Sequence, residues 1–241
     1  MTHMDLVVPH QVQDRSPRVE ESGLRTLASD VFQRLRHDIL ECRLKPAMRL
    51  RFADLRERYG VGTSPLREAL MRLASDGLVV LEDHRGFHVA PVSRAKLLDI
   101  AFMRKELETK ALVLGIRNAD DNWEARVLAA YHALARRSRP DRDGSMDPEW
   151  EARHAAFHFA LVSGCGSEWL LRFREILYDQ WDRYRRLSIK YAKDDRDFMR
   201  EHRELMEAAL ERDADAATYL MNRHITMSTK QLLEAHPGLS A

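Results

Sequence analysis

The sequence predicts a mainly α-helical protein of two parts: an N-terminal helix-turn-helix with a two-stranded wing, then a C-terminal antiparallel bundle of six helices. Three observations carry this expectation. The stretch LRERYGVGTSPLREALMRL, Leu55 to Leu73, places apolar residues at helical spacing on both sides of a glycine-containing turn. Two short β-prone runs follow at once, separated by Asp83, His84, Arg85 and Gly86. From Val92 onward nearly every segment repeats apolar residues at a helical period. Sparse Gly and Pro, ten and eight in 241 residues, agree with a helical globular chain.

Residues 1–22 mix Pro, Gln, Asp, Arg and Glu without periodic apolar positions and are expected to form a mobile tail. Residues 23–91 would form the first domain. Leu27, Val31, Leu35 and Ile39 recur every fourth residue, a helix that ends before Lys45-Pro46 and can roof the helix-turn-helix. Leu55 and Tyr59 stripe the next helix, and Leu66, Ala69, Leu70 and Leu73 the one after it. Ser64 is expected to cap that third helix, with Pro65 at its first position, where a missing N–H is harmless. Its exposed face offers Thr63, Ser64, Arg67 and Arg72, residue types able to bond base edges or phosphates. The alternative is a packed helix pair with a solvated basic face. Leu78 to Leu81 and Phe87 to Ala90 read as a hairpin whose tip, His84 and Arg85, would reach a backbone or minor groove. His84 reads equally well as a plain surface residue.

Residues 92–241 would form the second domain. Ser93 can cap a helix carrying Leu97, Ile100, Ala101, Leu107, Ala111 and Leu114. Asp121 opens another, with Val127, Leu128, Tyr131 and Leu134 inward. Ser138 to Asp147 is the clearest loop. Glu149–Val162, Glu168–Leu187, Phe198–Leu210 and Ala214–Leu233 supply four more helices, with Asp213 as a cap. Six helices of this length can enclose a ligand cavity.

The charge balance excludes little by itself. Between Leu24 and Pro91 twelve Lys and Arg face nine Asp and Glu, so DNA affinity would depend on where the arginines point. No apolar run approaches the roughly 18 residues of a membrane span, and no signal-like segment opens the chain. A cytoplasmic location without membrane partners is expected. Cys42 and Cys165 are far apart and indicate neither a disulfide framework nor a nucleophile.

Four histidines stand out. His154 and His158 lie one helical turn apart on one face, a spacing that suits Zn, Ni or Cu. His202 and His224 sit mid-helix among apolar positions, where an unpartnered imidazole is costly to bury. From these residues alone, a metal site and four separately hydrogen-bonded side chains both remain open.

The segment from Leu27 to Pro91 resembles the DNA-binding domain of the GntR family of bacterial transcription regulators. The resemblance rests on Leu50, Leu55, Tyr59-Gly60-Val61, Ser64-Pro65-Leu66-Arg67-Glu68-Ala69-Leu70, Leu73, Asp76-Gly77-Leu78 and Arg85-Gly86-Phe87. It implies Arg67 as a direct operator contact, assisted by Thr63, Ser64 and the wing tip through Gly86. Many relatives carry Arg where Thr63 stands, so the operator is not transferable. From Ser93 onward the chain resembles the FCD effector domain of the FadR subfamily, through Arg104, Glu108, Phe157-His158, Ser163-Gly164, Glu201-His202, Asp213, Ala217 and His224. In that subfamily an Asp and three His hold a divalent metal. The carry-over is His158, His202 and His224, with His154 in the Asp position. An imidazole in place of a carboxylate leaves the site one unit more positive, which favours Zn or Ni and anionic effectors. Arg104 would clamp a carboxylate opposite the metal; its alternative is a salt bridge on the bundle surface. The stretch from Arg153 to Arg185 also resembles the carbon-starvation-induced CsiR branch, which implies a short dicarboxylate such as glutarate.

The function expected from these readings is a transcription regulator, a repressor rather than an activator. It would bind a pseudo-palindromic operator as a homodimer and respond to a small carboxylate beside a metal. A metal-responsive regulator with no organic effector is the alternative, and a metal-dependent enzyme a more distant one.

Overall fold

Thr26 sets the first helix: its Oγ1 accepts the Ser29 amide at 3.2 Å, and α1 runs Leu27–Leu40. The computed structural model describes residues 26–137, 147–188 and 197–235. The expected tail, 1–22, and the expected loop up to residue 146 lie outside those ranges. α2 (Phe52–Tyr59) closes on Gly60, whose φ of 69° is the left-handed conformation that glycine adopts without strain. α3 (Thr63–Ser75) packs on α1, and Val31, Leu35, Ile39, Leu55, Leu66 and Leu70 form the centre of one core. Leu27, by contrast, is 57% exposed, because the apolar stripe of α1 begins one turn before the core does.

The cap expected at Ser64 is not made. Gly62 in extended backbone is the N-cap of α3, so Thr63, Ser64 and Pro65 are its first three residues and no side chain caps it. Proline is tolerated throughout the first turn, since none of those amides has an intrahelical partner. The wing follows as β1 (Val79–Glu82) and β2 (Gly86–Val89), antiparallel in the register Val79 to Val89 and Glu82 to Gly86.

Among the described residues six α-helices make the second half: α4 (Arg94–Arg117), α5 (Asp121–Ala135), α6 (Pro148–Val162), α7 (Glu168–Ser188), α8 (Phe198–Leu210) and α9 (Ala214–Ala235). Ser93 caps α4 by accepting the Lys96 amide at 3.2 Å, and Asp213 caps α9 by accepting that of Ala216 at 2.9 Å. α5 opens at Asp121 as expected, and the preceding Asp120 caps it. Trp123, Val127 and Leu134 turn α5 inward; Leu128, expected inside, is 49% exposed because it falls off that stripe. A Cβ at Gly115 would lie 2.8 Å from the Leu161 carbonyl, so glycine there allows α4 and α6 to approach closely. Among the described residues no helix is long and apolar enough to cross a membrane.

Asp38 ties α1 to α2. Its carboxylate accepts from the Tyr59 hydroxyl at 2.6 Å, from Arg58 at 2.7 Å and from Arg43 at 3.1 Å. Burial alone would raise its pKa, but these bonds outweigh burial and hold it below 3.8. A depressed folded pKa means stabilisation that is present above the unfolded value and lost as pH falls through the folded one. Asp38→Asn is therefore expected to reduce stability by about 1–3 kcal/mol at pH 7. The deficit should shrink near pH 3, when urea midpoints of variant and parent are compared; an equal deficit at both pH values would contradict the charged role of Asp38.

Candidate nucleic-acid interface and metal centre

Thr63 and Ser64 are exposed at the uncapped start of α3, so the first-turn amides have no side-chain acceptor and present a site favourable to an anion. Arg67 is exposed one turn later, its guanidinium 5.2 Å from the centre of the Phe52 ring. Phe52 in turn meets Phe87 of β2 edge-on, with centroids 6.0 Å apart. The wing, Phe52 and Arg67 thus form a continuous stack that limits where Arg67 can point. A groove between wing and helices is floored by Phe52 and Phe87 and rimmed by Arg49, Arg51, Arg67 and Arg85. His84 forms the exposed wing tip at φ 62°, and Gly86 follows at φ 79°. Arg72 points elsewhere: it lies 4.2 Å over the Phe32 ring of α1 and donates to the Ser29 hydroxyl at 3.3 Å.

Arg49 and Arg51 were not among the expected contacts. A signal for them exists in the sequence, since they flank buried Leu50 in an extended segment and alternation turns both toward solvent.

In the bundle, His154 and His158 of α6, His202 of α8 and His224 of α9 are all buried. One ring nitrogen from each falls within 4.8 Å of the others. His158 Nε2 lies 3.0 Å from His154 Nε2 and 3.2 Å from His202 Nε2. His202 Nδ1 faces the Phe198 carbonyl at 2.7 Å, and His224 Nδ1 faces the Glu201 carboxylate at 3.1 Å. Both partners are acceptors, which assigns the proton to Nδ1 and leaves each Nε2 with a lone pair. Trp150 stacks on His154 with centroids 5.0 Å apart. Burial, then the neighbouring imidazoles, hold His158 well below its usual pKa, so it is a neutral ring at pH 7. A set of imidazole donors converging within 4.8 Å suits a divalent metal of the Zn or Ni type, and Glu201 behind His224 supplies the outer carboxylate common at such sites.

A second charged group is buried beside α7. Glu108 bonds Arg104 at 3.3 Å and Arg174 Nε at 2.7 Å. Burial alone would raise Glu108, yet Arg174 and Arg104 outweigh it and keep the carboxylate ionised. Two guanidinium groups on one carboxylate leave a surplus positive charge away from water. Arg104 Nε and Arg174 Nη2 have no hydrogen-bond partner among the described residues. Trp181 covers Arg104 at 4.6 Å from its ring centre, with Tyr178 at 5.5 Å. Arg104 is thus inside the bundle, and the alternative of a surface salt bridge does not describe it. Arg174, absent from the sequence-based set, also contributes to the low pKa of His158, which relates the arginines electrostatically to the histidine cluster.

Comparison with known proteins adds the following. Residues 27–89 match the family described as bacterial regulatory proteins, gntR family, and residues 99–227 match the FCD domain. The chain is 42% identical over 220 residues to the HTH-type transcriptional regulator BphR of Paraburkholderia xenovorans, covering 89% of this chain and 88% of that one. It is 38% identical over 216 residues to the HTH-type transcriptional repressor GlaR of Escherichia coli, covering 87% and 97%. Among solved structures, E. coli McbR/YncC superposes with a TM-score of 0.68 at 22% identity, covering 86% of this chain and 98% of that one.

Proposed function

We propose, from the premise that this chain belongs to the GntR family of bacterial regulatory proteins and carries an FCD domain, that it is a repressor released or engaged by a small carboxylate bound beside a divalent metal. DNA binding and transcription regulation follow from the family and from relatives named as HTH-type regulators. Repression is supported by the relative named a repressor. Residues 23–91 would read DNA and residues 92–241 would bind the effector and dimerise.

On the DNA, Arg67 would enter the major groove with Thr63 and Ser64 beside it, while His84, Arg85 and Gly86 at the wing contact the backbone or minor groove. Arg49 and Arg51 would grip phosphate. Arg72, occupied by Phe32 and Ser29, would act mainly by holding α3 on α1. One short helix reads few bases, so a homodimer on two half-sites is the working assembly.

The observation that carries the effector reading is the pair of buried N–H groups on Arg104 and Arg174 that have no partner among the described residues. Leaving such donors unpaired is costly, and an anion relieves it. His154, His158, His202 and His224 would hold the metal, which when bound supplies a Lewis-acidic anchor for an effector oxygen. Two separated positive groups fit a dicarboxylate, glutarate being the probe of choice. A second reading has its own support: four imidazoles supply four donors, the number that closed structural sites use. In that case the metal itself is the signal and no organic effector enters.

Four outcomes are expected. Arg67→Ala should weaken binding to a selected operator by about 10- to 100-fold, corresponding to about 1–3 kcal/mol, with little change on random duplex; equal loss on both would remove it from base reading. Arg51→Ala should instead weaken both alike and lower the salt slope by about one unit, measured by fluorescence anisotropy across a salt series. His202→Ala should lose bound Zn in elemental analysis. Arg174→Met should keep the Zn and lose the thermal shift produced by glutarate. Operator affinity that follows Zn in buffered titration and ignores glutarate would establish the second reading.

A further inference from the structure

Helix α7 carries two sets of side chains that meet different halves of the protein. Arg174, Tyr178 and Trp181 surround the Arg104–Glu108 pair. Asp179, Gln180, Arg183 and Arg186 recur at helical spacing and engage the first ninety residues. Asp179 receives Arg36 of α1 in a two-pronged bond, at 2.8 Å from Nε and 2.6 Å from Nη2. Gln180 Nε2 donates to the carbonyl of Asp76, the C-cap of α3, at 2.7 Å. The next residue, Gly77, has φ 71°, and a Cβ there would lie 3.3 Å from Gln180 Nε2, so the end of α3 is seated closely on this side chain. Arg183 donates to the Ala90 carbonyl at 2.5 Å and Arg186 to Glu41 at 2.5 Å.

We propose that Asp179 and Gln180 are positioning residues for DNA reading: they fasten α3 and its supporting helix α1 to α7, and α7 transmits the state of the Arg104–Glu108–Arg174 group to that fastening. The transmission rests on the effector reading above; the fastening does not. Arg174 and Asp179 are five positions apart along one continuous helix. An anion accepted by Arg104 Nε and Arg174 Nη2 competes with Glu108 for the same guanidinium groups, and Tyr178 and Trp181 pack on those groups. Any shift in their seating therefore moves the turn of α7 that holds Arg36 and Asp76. The fastening is not a deep trap. Burial pushes the Asp179 carboxyl up to about 6 although Arg36 pulls it down, so the ion pair forms against a desolvation penalty.

The test uses the full chain with Zn and glutarate as probes, and an operator selected from random duplexes. In the Asp179→Asn/Gln180→Ala variant, Zn content and glutarate affinity should stay within about twofold of the parent, while the factor by which glutarate changes operator affinity falls toward one. A merely structural role would not move that factor selectively. Undiminished coupling in a variant that still binds both probes would overturn the proposed transmission. Hydrogen exchange without any ligand tests the fastening separately. Peptides covering residues 74–78 should exchange about tenfold faster in Gln180→Ala, with those covering α2 unchanged; exchange within twofold of the parent would overturn the fastening. If the parent protein ignores glutarate in binding and in operator affinity, the transmission fails together with the effector reading, and the exchange result alone decides the fastening.

Discussion

Two guanidinium groups share one buried carboxylate in the middle of this protein, and the surplus charge constrains what surrounds it. Arg104, Glu108 and Arg174 are each buried, and a group of net positive charge in that position is tolerated only with excellent geometry or a further anion. The geometry is partly satisfied. Trp181 and Tyr178 place their ring faces on Arg104, and Glu108 accepts from both arginines. Two N–H groups remain without acceptors among the described residues. The neighbouring cluster contributes four imidazoles, and the carboxylate beside it, Glu201, is engaged by His224.

The rest of the fold presents this interior to the DNA-reading half. One core lies under α1 to α3 and the wing, and another lies between α4, α5, α6, α8 and α9. A smaller cluster of Leu97, Ile100, Trp181, Tyr184 and Leu232 lies beside Pro91, Val92 and Ser93, the short hinge from the wing to α4, where Tyr184 also bonds the backbone of Ser93. Trp181 belongs both to that cluster and to the cover of Arg104. Packing at the hinge and the charge state of the interior therefore share a side chain, which makes strong coupling between the two halves physically reasonable.

Much of this was legible before the structure. Apolar periodicity located α3, α4, α8 and α9, because each buries one stripe. The cap residues Ser93 and Asp213 were readable from the side-chain oxygens that precede those stripes. Ser64-Pro65 misled because the start signal of a helix is permissive within its first turn, and Gly62 had already assumed the cap geometry. The histidines were visible as residues, but their convergence needed four strands of information about helix packing that no local pattern contains. Arg104 and Glu108 form an i, i+4 pair for which a surface salt bridge was the alternative to a role in the cavity; Arg174, a distant residue in sequence, bonds Glu108 and accounts for the burial of the pair. For the same reason no local pattern reveals that most charges between Asp179 and Arg186 meet long-range partners.

The most direct measurement is a crystal structure of the zinc-loaded protein grown with glutarate, with anomalous data collected on both sides of the zinc edge. The account predicts an anomalous peak bonded to His154, His158, His202 and His224, and carboxylate density against Arg104 Nε and Arg174 Nη2. Zinc located away from the four imidazoles, or those two N–H groups occupied by water alone under saturating glutarate, would contradict it.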